Sequence, residues 1–155
     1  MNILISRRLA VMLCAAAVMA LSAIPMPSAL AGDKVHKVAI HVDDKDPKRI
    51  NMALNNVVNI KKYYDSKGKK VQIEVVAYGP GLHMLRADTS PVKSRIATMA
   101  LEIPGLQFSA CGNTHRKMSK KAGKKITLLP EATNVPSGVI RLIELQEAGY
   151  AYIRP

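Results

Sequence analysis

Cys111 is the residue around which chemistry is most readily built. It stands between an apolar run, Leu106 to Cys111, that reads as a strand, and the segment Asn113 to Lys121, that reads as a short basic helix capped by Asn113 or Thr114. Unpaired amides and the dipole at a helix N-terminus favour an anion. A thiol placed there has its pKa lowered from about 8.5 toward neutrality, which raises its thiolate fraction. His115 and Arg116 follow within one turn and can add positive potential. His83 lies on another loop, Gly79 to Ser90, expected at the same end of the fold. Gly79-Pro80-Gly81 lacks both a Lys-Ser/Thr ending and the dinucleotide spacing, so it reads as a tight turn or as backbone kept slim beside a ligand pocket. Cysteine is also among the most buried residue types, and an inert thiol at the tip of a core strand fits the same residues. Residue chemistry alone leaves both readings open.

Other chemistries find less support. Cys111 and His115 are too few to make a metal centre, and neither a metal nor a cofactor is expected. Asp43, Asp44 and Asp46 cluster where helix capping is reason enough, and His36 and His41 belong to a strand or its edges. No Cys-His-Asn arrangement can be read from the sequence, which leaves acyl transfer unsupported.

The elements that must position Cys111 follow from periodicity. Val35 to Val42 and Val71 to Tyr78 read as strands, the second continuous enough to be buried on both faces. Asp46-Pro47 caps and opens a helix with Ile50, Ala53, Leu54, Val57, Ile60 and Tyr64 on one side, stopped at Gly68. Ser90-Pro91 starts a second helix, with Ile96, Met99, Ala100 and Ile103 on one face, ended by Pro104-Gly105. Ile126 to Leu129 is expected as the fourth strand, Ser137 as the cap of a last helix closed by Gly149, and Tyr150 to Ile153 as the fifth strand. Strands alternating with helices predict an α/β fold with a mainly parallel sheet of about five strands. Ligands in such sheets bind beyond the strand carboxyl ends. That rule gathers the loops Asp43 to Lys48, Gly79 to Ser90, Cys111 to Arg116 and Pro130 to Ser137.

The first 31 residues have a different purpose. Arg7 and Arg8 precede an uncharged apolar run from Leu9 to Ile24, and Pro25, Pro27 and Ser28 then lead to Ala29-Leu30-Ala31. This order is that of a cleavable export signal, and the run is shorter than the roughly 20 residues a spanning helix needs. Residues 1–31 are therefore expected to be removed, leaving residues 32–155 as one domain, periplasmic or secreted, with no stable membrane insertion after cleavage. Cys14 would be lost and Cys111 would be the one thiol remaining, so no intrachain disulfide could form. The whole chain carries a net charge of +12. Short lysine runs without interleaved aromatics do not make a base-stacking surface. Export also argues against a nucleic-acid partner, whereas anionic substrates or an acidic protein would be drawn to this surface.

The stretches Ala77-Tyr78-Gly79-Pro80-Gly81-Leu82-His83-Met84-Leu85, Phe108-Ser109-Ala110-Cys111-Gly112-Asn113-Thr114, Val135-Pro136-Ser137-Gly138-Val139 and Glu144 to Ile153 together resemble the DsrE/DsrF-like family from Lys34 to Pro155. The resemblance implies a flavodoxin-like three-layer sandwich that assembles as a homo-oligomer, a trimer or hexamer. It also implies sulfur relay, with sulfane sulfur held as a persulfide on the matching cysteine, Cys111. Gly112 would leave room for the persulfide, and the Asn113 and Thr114 amides would stabilise its charge. The well-understood relays are cytoplasmic, and an exported member would need a different donor and acceptor.

The expected function is thus a sulfur carrier more than an independent enzyme. It would take sulfur from a donor protein or a small reactive sulfur species on Cys111, with Gly79, Gly81, His83, Gly112, Asn113, Thr114 and His115 lining the site. The alternative is a non-catalytic binding or assembly module with a structural Cys111 and a basic partner-binding surface. The export reading predicts that N-terminal sequencing of protein recovered from outside the cytoplasm begins at Gly32; an N-terminus retaining Arg7 and Arg8 would contradict it.

Overall fold

The computed structural model describes residues 34–155; the export segment and Cys14 lie outside the described residues. Five strands are laid down: β1 (His36–Val42), β2 (Val71–Ala77), β3 (Leu106–Cys111), β4 (Ala132–Val135) and β5 (Ala151–Ile153). They form one sheet in the order β4-β3-β2-β1-β5, and every pairing is parallel. Between them lie α1 (Pro47–Ser66), a 3-10 segment (Gly79–Leu85), α2 (Lys93–Glu102), α3 (Gly112–Ala122) and α4 (Gly138–Glu147). This is the expected α/β fold, consistent with a flavodoxin-like three-layer sandwich.

The layering follows from strand order. The chain steps in one direction from β1 through β4, so right-handed crossovers put α1, α2 and α3 on one face. The connection from β4 to β5 runs back across the sheet and puts α4 on the other. The main core lies under the first three helices, where Ile40, Ile73, Val75 and Phe108 of the sheet meet Ile50, Leu54 and Val57 of α1, Ile96 of α2 and Leu82, Met84 and Leu85 of the 3-10 segment. Each such buried side chain contributes about 1.5–3 kcal/mol. Under α4 the apolar contact is much smaller: Ala39 and Val76 of the sheet against Leu142 and Leu145, with Tyr78 and Tyr150 alongside. Much of that sheet face is polar instead, bearing His41, Glu74 and Ser109.

The helix starts are physically legible. Asp46 accepts a hydrogen bond from the Lys48 amide at 2.9 Å, and Pro47 occupies the first turn where no amide partner is needed. Ser90 organises the turn before α2: its hydroxyl donates to the Met84 carbonyl at 2.6 Å and accepts from the Val92 amide, so α2 itself begins only at Lys93.

Two expectations need correction. Ile126 to Leu129 is not the fourth strand. Ile126 and Leu129 are buried, but the segment contributes only an isolated antiparallel bridge from Leu128 to Arg86. The fourth strand is Ala132–Val135, a mostly exposed edge, so the loop leading to α4 shortens to Pro136 and Ser137. Asn113 and Thr114 do not cap α3; Cys111 occupies the N-cap position, and the helix begins at Gly112.

The 3-10 segment packs hard against the end of β1. A Cβ on Gly81 would stand 2.1 Å from the Val42 carbonyl oxygen. Gly81→Ala should therefore destabilise the fold by about 3 kcal/mol, the upper range for overpacking. Lys93→Ala, on the exposed side of α2, should leave the stability measured by chemical denaturation within roughly 0.5 kcal/mol of wild type. Equal denaturation midpoints for the two variants would contradict this packing account.

Candidate functional site

Cys111 ends β3 on the sheet face covered by α4, and its side chain is only 4% exposed. Two helix N-termini converge on it. One is its own, where α3 starts at Gly112; the other is that of α4, where Gly138 lies against it. A Cβ on Gly138 would be 3.0 Å from Tyr78 Cβ and 3.1 Å from Cys111 Cβ, so glycine is what allows the α4 amide to approach the sulfur.

Burial pushes the Cys111 thiol up. The Thr114 hydroxyl and the backbone amides of Gly138, Thr114 and Asn113 outweigh burial and hold it below the ordinary cysteine value. The side chain makes no close capping bond to α3; these donors instead favour the charged form of the sulfur. Thr114 is itself oriented, because its hydroxyl oxygen accepts from the Gly79 amide at 3.0 Å. Its hydroxyl hydrogen remains available to the sulfur. Gly79 reaches that position with φ +52°, a backbone conformation that favours glycine.

Beside the thiol stands an aromatic cluster. His41 of β1 stacks on Tyr78 with centroids 4.4 Å apart, and its Nδ1 is 2.7 Å from the Tyr152 hydroxyl of β5. His41 is 4% exposed, and its Nε2 is buried without a partner among the described residues. Burial lowers the His41 pKa; Asp43 opposes that shift and Arg154 adds to it, so the ring is neutral near pH 7. Burial raises the Tyr78 pKa, with Asp43, Tyr152 and Cys111 adding to it and Arg154 opposing, so the phenol keeps its proton. Asp43 and Arg154 close this end with a two-point ion pair at 3.2 and 2.6 Å.

The residues proposed from sequence separate into two groups. Cys111, Gly79, Gly112, Asn113 and Thr114 come together. His83 and His115 turn elsewhere: His83 Nδ1 pairs with the Thr89 hydroxyl at 2.8 Å, and His115 Nε2 with the Ile126 carbonyl at 2.7 Å. Burial lowers the His83 pKa, with the nearby Arg86 and Lys45 cations adding to the shift, and Cys111 is not among the groups acting on it. Gly81 serves the β1 contact described above. Gly112 also has a different reason to be glycine than room for a persulfide. A Cβ there would sit 2.9 Å from the Val135 carbonyl oxygen and 3.2 Å from Asn134 Oδ1, so the start of α3 is pressed against the end of β4. Among the described residues, no three His, Cys, Asp or Glu side chains gather to hold a metal, and no helix is long and apolar enough to cross a membrane.

A solved structure of a protein from Methanobacterium thermoautotrophicum, MTH1491, described as of unknown function, is 33% identical to this chain. The match covers 77% of this chain and 99% of that one, with a TM-score of 0.65. The chain belongs to the MTH1491 family. No protein-family model matches it, and no curated protein does. Family membership here brings the fold and no activity, so the chemistry of this MTH1491 relative rests on the geometry around its own Cys111.

Gly138 and Tyr78 join the site without being expected from the sequence, which marks only Ser137 as the start of the last helix. Ser137 is the N-cap, without a side-chain capping bond. The missing signal was which strand end that helix start would face, and this depended on the true position of β4. The geometry predicts that alkylation of Cys111 in the folded protein follows a pH profile shifted below that of an unfolded peptide carrying the same cysteine. Thr114→Val should move the profile upward and slow alkylation at neutral pH by about threefold or more, the equivalent of half a pKa unit. An unchanged profile in the variant would exclude Thr114 from the site.

Proposed function

We propose that this protein is a sulfur carrier of the DsrE/DsrF-like type, acting outside the cytoplasm, which holds sulfane sulfur as a persulfide on Cys111. The observation that supports this most is the convergence of two helix N-termini on one sulfur: Cys111 is the N-cap residue of α3, and Gly138 at the start of α4 lies against it. A neutral inert thiol has no need of them, whereas a thiolate or a persulfide anion does.

In the proposed cycle the Cys111 thiolate attacks the outer sulfane sulfur of a donor persulfide, a polysulfide or thiosulfate. A new sulfur–sulfur bond forms and the donor's own breaks. The donor's former partner sulfur leaves with the electron pair as a thiolate, a shortened polysulfide or sulfite. The reaction is an exchange, so no external oxidant is required. The persulfide then carries its negative charge on the terminal sulfur, where the Gly138, Thr114 and Asn113 amides can accept it. A thiolate on a partner attacks that terminal sulfur and regenerates the Cys111 thiolate.

The basic helix that begins at the thiol supports an anionic donor, since Arg116, Lys117, Lys120 and Lys121 of α3 are all exposed. Val139, Ile140 and Ile143 form an exposed apolar strip on α4 and support the homo-oligomer, a trimer or hexamer, that belongs with this reading.

The burial of Cys111 favours a second reading, a binding or assembly module with a structural thiol. Polysulfide treatment of the folded protein followed by intact-mass and peptide mass spectrometry separates the two. The carrier reading expects one or more added sulfur atoms on the Cys111 peptide, removable by a thiol reductant and absent in Cys111→Ser. A Cys111 that alkylates in the native state yet takes up no sulfur would reject the carrier; a Cys111 that neither alkylates nor takes up sulfur would support the structural reading.

A further inference from the structure

We infer that Glu74 and Arg141 are positioning residues for Cys111: their half-buried ion pair holds the first turn of α4, and with it the Gly138 amide, against the sulfur. This deepens the carrier reading and rests on its anion-stabilising site.

Glu74 lies in the middle of the central strand β2, on the face covered by α4, and is 1% exposed. It is met from two directions. Arg141 of α4 approaches side-on, with Nε 2.7 Å from Oε1 and Nη2 2.7 Å from Oε2. Ser109 of β3, two residues before Cys111, donates its hydroxyl to Oε1 at 2.6 Å. One carboxylate thus joins the strand that carries the thiol to the helix that carries the facing amide.

The placement of Arg141 along α4 matters. It lies one turn beyond Gly138, and its amide closes that turn on the Ser137 carbonyl at 3.0 Å. The apolar anchors of α4, Leu142 and Leu145, come later in the helix. In the first turn Val139 and Ile140 point outward and are half exposed. Beyond the contact of Gly138 itself, Arg141 is therefore the side chain that fastens this end to the sheet.

Stability is a poor explanation for such a pair. Burying charges costs nearly as much as their attraction returns, and well-packed apolar residues of similar volume often do as well. What a bidentate guanidinium–carboxylate pair supplies is a fixed distance and orientation. The sulfur site needs that fixity, because a donor stabilises an anion only when it is already aimed at it.

Glu74→Gln tests this by the sign of its effect. The exchange is isosteric and retains an oxygen for Ser109, but it turns a donor toward Arg141 and ends the two-point grip. Simple loss of a nearby negative charge would favour the thiolate and move its titration downward. Loss of positioning moves it upward. Alkylation of Cys111 is followed against pH in the full chain by peptide mass spectrometry, with circular dichroism and melting as checks of fold. The clamp predicts an upward-shifted profile in Glu74→Gln and about three- to tenfold slower alkylation at neutral pH. Arg141→Lys, which keeps the charge and loses the fork, should shift it the same way by less. A profile that stays put or falls in both variants overturns the inference, and if Glu74→Gln does not fold, an unshifted Arg141→Lys overturns it alone. Sulfur uptake by wild type under polysulfide is scored separately: its absence sinks the carrier reading, while the clamp is judged by the shift in the alkylation profile.

Discussion

Gly138 approaches Cys111 so closely that one added methyl would be 3.1 Å from its Cβ, and the chemistry of the site depends on that approach. It places the positive end of α4 against a sulfur that already sits at the positive end of α3. Helix dipoles and unpaired amides are stronger where water is thin, and the thiol is nearly buried. The same burial that would disfavour a charge thus makes the donors around it more effective, and the balance falls on the side of the thiolate.

The topology explains how both helices reach one strand end. Four strands added in one direction leave three helices on the first face, with a large apolar core to hold them. The return to β5 sends α4 alone across the second face, where it has little apolar contact. That face is fastened largely by polar groups: Glu74 with Ser109 and Arg141, and His41 with Tyr152. These are directional interactions, and direction is what a site with a single sulfur and several donors requires. The large core gives the fold its stability, while the sparse face carries the geometry.

Most of the scaffold was legible from the sequence, and the exceptions have physical causes. The run from Val71, alternating at first and continuous through Val75-Val76-Ala77, and the capped periodicity after Asp46 announce a buried strand and an amphipathic helix, and both are present. The fourth strand departs from its expected position because Ile126 to Leu129 is apolar, whereas Ala132–Val135 is a partly exposed edge with no apolar alternation. Apolarity there reflects loop residues packed on the core. Cys111 stood out because a thiol at a strand-to-helix junction has a definite electrostatic consequence. His115 drew attention by its nearness in sequence, but α3 starts at Gly112 and turns it toward Ile126. Glu74 carries a signal of its own: a lone carboxylate within an otherwise buried strand must have a partner. Its partner lies 67 residues away, on a helix whose face could not be assigned without the sheet order.

The direct test is a pH titration of thiolate ultraviolet absorbance in the folded protein, with the Cys111→Ser protein subtracted so that only this sulfur is read. The account predicts a single transition with its midpoint below that of the same cysteine in the unfolded chain. A midpoint at or above the unfolded value would mean that burial outweighs the donors, and that Cys111 is a structural thiol.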